Sequence, residues 1–525
     1  MPGYLALVLH AHLPFVRHPE HPRFLEESWL YEAITETYMP ILEMLRGWER
    51  DRINARITIC LSPTLCSMLL DPLLQSRYER RLEDLIELAD REVLRLQWEP
   101  QMKRLAENYA NRFRQIRSLW FACQRNLVGA FRRLQDEGRI EIITCAATHA
   151  LLPLLVNSPG ALRAQVLTAR DHYRQCFGKD PIGFWLPECA YSPEIEWALT
   201  EAGVRWFIVE SHGLLHGTPR PRYGTFSPVF TPDGLAVFGR DRDSANQVWS
   251  RLEGYPGDPR YRDFYRDIGF DLDLDYIEPF LPSPGRRGFT GIKYHAITGA
   301  RGEKAIYDPS AAQEAVQQHA RHFIQNRLRQ MARIEPAMDR PPLIVAPYDA
   351  ELFGHWWHEG VLFIDTMTRM ALAESPAFSL ITPTDYLRRH STNQVARPSP
   401  STWGDQGHLG VWLNERNAWI QPHLRAAEDK LVELVRWYSN ANGLTGRALK
   451  QAARELMLAQ ASDWPFMIHT GTNPDYARHR VETHLRNYLS LHEQITTSTI
   501  NPTALASLEE KHNIFPNLQP IYWSA

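Results

Sequence analysis

Cysteine is scarce and scattered. The six residues Cys60, Cys66, Cys123, Cys145, Cys176 and Cys189 include no C-x-x-C pair, so neither a zinc site nor a disulfide framework is signalled, and the thiols are read as reduced. No run of 18 or more apolar residues occurs, which argues against a membrane-spanning helix. The N-terminus, Met1-Pro2-Gly3-Tyr4-Leu5-Ala6-Leu7-Val8-Leu9-His10, has no basic segment ahead of its short apolar run, so it reads as a first strand and not a secretion signal. A cytoplasmic setting and no membrane partner are therefore expected. Neither sign of charge dominates: 58 Lys+Arg against 61 Asp+Glu leaves a formal net charge of -3, with no footprint for nucleic acid or an anionic surface. A neutral or polar substrate fits better. Internal repeats and low-complexity segments are also missing. What the chain does have is aromatic rings, 16 Trp, 20 Tyr and 21 Phe, which suit sugar stacking and equally suit a large core. Its 525 residues call for two or three domains, of which an α/β barrel can take about 300 residues or more.

Two stretches share an unusual build. Phe184-Trp185-Leu186-Pro187-Glu188-Cys189-Ala190-Tyr191 sets one carboxylate among aromatic and apolar residues at the end of a short strand, with Pro187 stopping the ladder. Leu343-Ile344-Val345-Ala346-Pro347-Tyr348-Asp349 repeats the pattern and runs on into Ala350-Glu351-Leu352-Phe353-Gly354-His355-Trp356-Trp357. Enclosure raises a carboxyl pKa, and two strand-end acids suggest a pair of the kind glycoside cleavage needs. The plainer alternative is two unrelated helix N-caps.

Along the chain, Tyr4 to Leu9 reads as a buried parallel strand that delivers His10-Ala11-His12 at its carboxyl end. Both histidines fall on one side, open to a metal-binding, substrate-binding or packing role. Ala55 to Leu61 is the second strand, and residues from about 62 to 137 form a helical insertion too long for a simple crossover. Ile140 to Thr144 ends near Thr148-His149, and Trp206 to Glu210 is a later strand. From 217 to 302 the chain reads as one long irregular segment, rich in Pro, Gly, Arg and Tyr. This rhythm, with polar and aromatic residues at strand ends, predicts a parallel α/β barrel over residues 1–393. Gln394 to Ser401 resembles a linker, and 394–525 reads as a C-terminal helical domain contributing to the cleft. In it Trp403 and Trp412, in Gly-flanked loops, are candidates for sugar stacking or for interdomain packing.

His10-Ala11-His12-Leu13-Pro14-Phe15, Thr148-His149, Trp185-Leu186-Pro187-Glu188-Cys189, Tyr348 to His355 and Ser462-Asp463-Trp464-Pro465-Phe466 resemble, in order, the five signature regions of glycoside hydrolase family 57. The run from Tyr255 to Gly269 is most similar to the family's 1,4-α-glucan branching members. The resemblance implies an incomplete (β/α)7 barrel with a helical insertion and a C-terminal α-helical bundle. It also implies a retaining mechanism on α-1,4-glucan, with Glu188 as nucleophile and Asp349 as acid/base about 5–5.5 Å apart. Trp29, Trp403 and Trp412 would line subsites, with His10, His12, His149, Arg266 and Asp463 on sugar hydroxyls. No metal or organic cofactor is implied, and a monomer is expected.

Two positions depart from the pattern. Phe270 stands where some branching members have Trp, and Thr472 where a Gln is expected. The segment Ser227 to Arg240 is short and lacks the Tyr of a cleft-covering loop in such members, which leaves branch transfer, hydrolysis by an amylase and 4-α-glucanotransfer open. A non-catalytic glucan-binding protein would need neither Glu188 nor Asp349, and a metal-dependent deacetylase-like or mannosidase-like barrel would use His10 and His12.

Overall fold

Side chains of the first strand, β1 (Tyr4–Ala11), alternate between two cores. Leu5, Leu7, Leu9 and Ala11 pack outward against helices, while Tyr4, Ala6 and Val8 point into a barrel interior with Cys60, Ile143, Trp185, Trp206, Phe238 and Val345. This is the period-two division that a strand buried on both faces requires. The structure is a computed structural model and describes residues 3–249, 254–283, 285–299, 304–373 and 377–524.

The strands that follow are β2 (Ile57–Leu61), β3 (Ile140–Cys145), β4 (Gly183–Trp185), β5 (Trp206–Val209), β6 (Val229–Phe230), β7 (Ala236–Gly239), β8 (Leu343–Asp349) and β9 (Ser379–Leu380). They run in the order β6-β7-β5-β4-β3-β2-β1-β8, with β9 beside the start of β1. Only the β6–β7 pair is antiparallel. Strands β1 to β5, β7 and β8 make the seven parallel staves of the incomplete barrel. At the open seam the Asp241 N–H donates to Val345 O at 2.8 Å. Gly183 in β4 is required by close approach, because a Cβ there would lie 2.3 Å from the Trp206 ring.

Between β2 and β3, helices occupy Pro63–Leu69, Pro72–Arg95, Pro100–Ala122 and Leu127–Asp136. Ser62, Asp71 and Asn126 cap three of them with side-chain oxygens. The segment 217–302 is less irregular than its composition suggests, although 250–253, 284 and 300–302 lie outside the described residues. Ser227 to Arg240 is not a loop over the cleft. It forms the β6–β7 hairpin, whose turn at Thr231–Gly234 precedes β7 and so lies at the opposite end of the barrel from the strand carboxyl ends. The missing Tyr there has no bearing on how the cleft is covered.

Gln394 to Ser401 is likewise no linker. Its backbone pairs in turn with Phe230, Thr218, Gly213 and Tyr191, a strap laid across the barrel. Prolines at 398 and 400 stop it from extending a regular ladder, which is why its composition reads as a spacer. Beyond it lie helices Ile420–Trp437, Gly443–Ala459, Asp463–Thr470, Pro474–Thr496 and Pro502–Lys511. Among the described residues no helix is long and apolar enough to cross a membrane.

Glu455 fastens this bundle. Fully buried, it accepts from His484 Nδ1 at 2.8 Å, His512 Nδ1 at 2.7 Å, Gln451 Nε2 at 2.7 Å and Asn487 Nδ2 at 3.1 Å. These donors hold its carboxyl well below the usual range, the histidines foremost, against a burial that would raise it. Glu455→Ala strips the acceptor from two buried histidine donors and half-buried Asn487, leaves Gln451 Nε2 only its longer bond to Leu508 O at 3.3 Å, and is expected to cost about 3–5 kcal/mol of stability, read as a lowered denaturation midpoint. A midpoint unchanged from the parent would dismiss this hub.

Candidate active site

Glu188 lies just past β4, where Pro187 ends the ladder and the backbone turns left-handed: φ is 62° at Glu188 and 50° at Cys189. Non-glycine residues adopt this region at a cost, and here it is held by flanking bonds. Cys189 N–H donates to Leu186 O at 2.8 Å, and Trp403 N–H on the strap donates to Glu188 O at 3.0 Å. The turn aims the carboxylate into a cleft at the strand ends, with its side chain only 14% exposed. Trp403 Nε1 donates to Oε2 at 2.8 Å and Ser462 Oγ to Oε1 at 3.1 Å. Both donors come from beyond residue 400, so the C-terminal part completes this site. Burial raises the Glu188 carboxyl to about 7, the Asp463 charge adding to the rise and Trp403, Ser462 and His12 opposing it.

A chain of histidines runs behind it. His149, also at positive φ (57°), has Nδ1 2.8 Å from Ser462 Oγ and Nε2 2.9 Å from His10 Nε2. Burial holds His10 and His149 neutral, with pKa values well below the ordinary histidine range. With Glu188 ionised, the Ser462 hydroxyl donates to it and so accepts from His149 Nδ1–H. His149 Nε2 is then a lone pair that accepts from His10 Nε2–H. The polarity of the chain follows from the charge on Glu188. His12 is committed too, Nδ1 at 2.9 Å from Ser62 Oγ and Nε2 at 3.2 Å from Asp463 Oδ2.

These bonds show how the three histidines are held. The ring nitrogens of His12 and His149 are all taken, and His10, 2% exposed, is stacked on Trp185 at 4.6 Å with Nδ1 buried and unpartnered. His12 and His149 thus orient the Glu188 side of the site, and His10 Nδ1 keeps an unused hydrogen-bonding position. His12, His149 and Asp463 also lie close enough together to be considered as metal ligands. Yet the His12 and His149 rings face each other at 3.8 Å and 12°, so their in-plane lone pairs run in parallel planes and cannot converge on one ion.

Asp349 ends β8 beside His10 in register, half-buried at the mouth of the same cleft. Its pKa is raised well above the usual carboxylate range by burial first, then by the charges of Glu351 and Glu188, with Arg240 opposing. Glu351 follows in a single helical turn, where it accepts from Tyr38 OH and, at 3.2 Å, from His12 N–H. The two acids thus share one field, and burial raises both.

The other expected residues lie at varying removes. Trp29, half-buried on helix Glu27–Ala33, packs edge-on to Tyr476 at 6.0 Å. Arg266 pairs with Asp271 at 3.1 Å, Phe270 is 46% exposed against Phe289, and Thr472 sits on an exposed turn. Trp412 is a correction. It is 1% exposed, packed with Leu151, Ala190 and Val411, and Gly404 is small because a Cβ there would come 2.6 Å from its ring. No face of Trp412 is open to a sugar.

The sequence profile described as Glycosyl hydrolase family 57 matches residues 6–398. The chain belongs to that family. A second profile, described as 1,4-alpha-glucan branching enzyme, C-terminal, matches residues 423–523 of this family 57 chain. It is 34% identical to a 1,4-alpha-glucan branching enzyme of Thermococcus kodakarensis over 98% of this chain and 78% of that protein. Among solved structures it resembles the alpha-amylase AmyC of Thermotoga maritima at 40% identity and TM-score 0.94, over 100% of this chain and 99% of that one. It also resembles a family 57 branching enzyme of Pyrococcus horikoshii at 32% identity and TM-score 0.90, over 100% and 97%.

Several residues of this family 57 site escaped sequence reading. Trp249, 39% exposed, ends helix Arg242–Trp249 with its ring 6.2 Å from that of Trp403. Arg240 lies over Trp403 at 5.3 Å and pairs with Glu210 at 2.9 Å. Trp356, 52% exposed, stacks on Phe264 at 4.4 Å. Two signals were available: Arg240 directly follows an apolar strand, and Ser462 directly precedes Asp463.

Proposed function

We propose that this family 57 enzyme cleaves α-1,4-glucosidic bonds and re-forms them as α-1,6 branches through a covalent glycosyl-enzyme intermediate. Glu188 attacks the anomeric carbon while Asp349 protonates the departing oxygen, then takes the proton of the incoming 6-hydroxyl. The observation that carries this reading is the unlike surroundings of two acids in one cleft: Asp349, raised by burial and by the charges of Glu351 and Glu188 with no hydrogen-bond donor set on it among the described residues, suits an acid, and Glu188, clamped by the Trp403 and Ser462 donors, suits a nucleophile. The match to a branching-enzyme C-terminal profile and the branching relatives support transfer over hydrolysis. The likeness to an alpha-amylase at 40% identity favours a second reading, in which water is the acceptor. Incubation with amylose, counting new α-1,6 linkages against new reducing ends, separates them. Reducing ends without branches reject transfer.

The acids also set the pH response. Glu188 works ionised, so kcat/KM rises with pH through an apparent pKa near 7 and falls only where Asp349 loses its proton. The limbs belong to the coupled pair. Trp403→Phe removes the indole donor that holds Glu188 down. A hydrogen bond to a charged group contributes about 1.5–3 kcal/mol, so the rising limb is expected to move up by about 1–2 pH units. A limb that stays in place, or moves down, removes Trp403 from this role.

A further inference from the structure

A groove of about 450 Å³, outside the catalytic cleft, runs along the flank of the barrel between helices Met39–Arg50, Pro100–Ala122 and Gly360–Ala371. Small-molecule sites commonly span about 300–1,000 Å³. Arg262 contributes to its wall and is only 4% exposed. A guanidinium so enclosed ordinarily meets a carboxylate, because a buried unpaired charge is costly. Arg262 forms no ion pair among the described residues. Its Nη1 donates to Tyr109 OH at 3.0 Å and its Nε has no partner. Of the acids whose field it feels, Glu36 Oε2 lies 2.6 Å from His355 Nδ1, while Glu359 accepts the backbone N–H of Arg262 through Oε1 at 3.1 Å and keeps Oε2 buried, without a hydrogen-bond partner among the described residues.

The other acids of the groove are also matched. Glu43 pairs with Arg112 at 2.6 Å, and Asp365 with Arg369 at 2.8 Å and Trp48 Nε1 at 2.7 Å. That leaves Arg262 without a direct ion pair, balanced only by the field of Glu36 and Glu359, and Arg112 in a solvent-exposed pair that is weak enough to open. A neutral glucan lacks a platform here. Phe113 is buried, and the Tyr109 hydroxyl is committed to Arg262 and to Lys293 O at 2.9 Å.

We propose that this groove binds a small phosphate-bearing ligand, a sugar phosphate or inorganic phosphate, with Arg262 as the inner anchor and Arg112 at the mouth. Planar guanidinium groups suit phosphate oxygens through paired charge-assisted hydrogen bonds.

Calorimetric titration of the full-length protein, in chloride buffer, with inorganic phosphate, glucose 6-phosphate and glucose tests the site. With the catalytic cleft filled by excess maltooligosaccharide, saturable binding of a phosphate-bearing ligand and none of glucose is expected. Equal affinity for the two phosphates identifies the free oxyanion, and tighter binding of the ester identifies the sugar phosphate. Arg262→Gln is expected to weaken binding by about tenfold or more. Should that variant not fold, Arg112→Ala, a surface change, is expected to weaken it by about threefold or more. No saturable binding of either phosphate, affinity unchanged in the folded variants, or glucose binding as tightly as its phosphate would overturn the proposal.

Discussion

Replacing Glu188 by Gln is expected to remove branch formation and reducing-end release together, by about 10⁴-fold or more, because both pass through the bond that this carboxylate forms. The substitution preserves shape, and its surroundings can adapt. The amide oxygen can keep the Trp403 Nε1–H bond now made at 2.8 Å. The amide N–H₂ then faces Ser462 Oγ, 3.1 Å from the present carboxylate oxygen. Ser462 can turn to accept from it and donate to His149 Nδ1, passing the reversal to His10 by a change of tautomer. The reversal puts the proton on His10 Nδ1, which is buried without a partner, at a cost of about 1–3 kcal/mol, so the unfolding midpoint should fall slightly while the protein stays folded. Turnover retained in a folded Glu188→Gln protein would mean that another group attacks. Loss of both activity and fold would leave Glu188→Asp, with the same charge drawn back by one methylene, as the deciding variant: a folded protein as active as the parent would reject the assignment.

The two acids were legible for a local reason. In each case an apolar strand, a proline and a carboxylate follow one another within a few residues, so the end of the ladder and the exit of the side chain are written in adjacent positions. A parallel α/β barrel and the helical insertion were legible from periodicity in the same way, whereas the count of seven staves came only with the family resemblance. What could not be read were contacts that depend on distant backbone. Residues 394–401 have the composition of a spacer, yet they bind the barrel through main-chain groups, which composition does not encode. Because the strap was missed, so was the task of Trp403, which holds the nucleophile from 215 positions away. Trp412, in much the same Gly-flanked setting, is walled in by residues near 151 and 190. Nothing in its own neighbourhood distinguishes a ring that stacks on a sugar from one that fills a core. The histidines pose the same problem, since period two shows that His10 and His12 share a side but not which nitrogens are taken.

Asp349→Ala is expected to slow turnover on amylose by about 10²–10⁴-fold, the usual contribution of a positioned acid/base, but to do so in a way that Glu188→Gln cannot imitate. The acid assists departure of a poor leaving group. With a glucosyl fluoride or an activated aryl glycoside the leaving group departs without a proton, so attack by Glu188 should recover toward the parent rate and the glycosyl-enzyme should accumulate. The second step then lacks its base. Azide needs none, and it can enter the space left by the carboxyl that now stands half-buried at the end of β8. Added azide should therefore speed the Asp349→Ala protein and yield the α-glucosyl azide, with retained configuration. In a protein lacking the Glu188 carboxylate, azide attacking from the nucleophile's side would instead give the β-product. The pH profile supplies a second mark. Asp349 is raised by burial and by the charges of Glu351 and Glu188, so its removal should abolish the alkaline limb and leave a single rising limb, now set by Glu188 alone. An Asp349→Ala protein that ignores both azide and leaving-group activation, or that keeps its alkaline limb, would show that the proton comes from elsewhere. Glu351, placed two residues on and held by Tyr38 and His12, would then be the next carboxyl to replace.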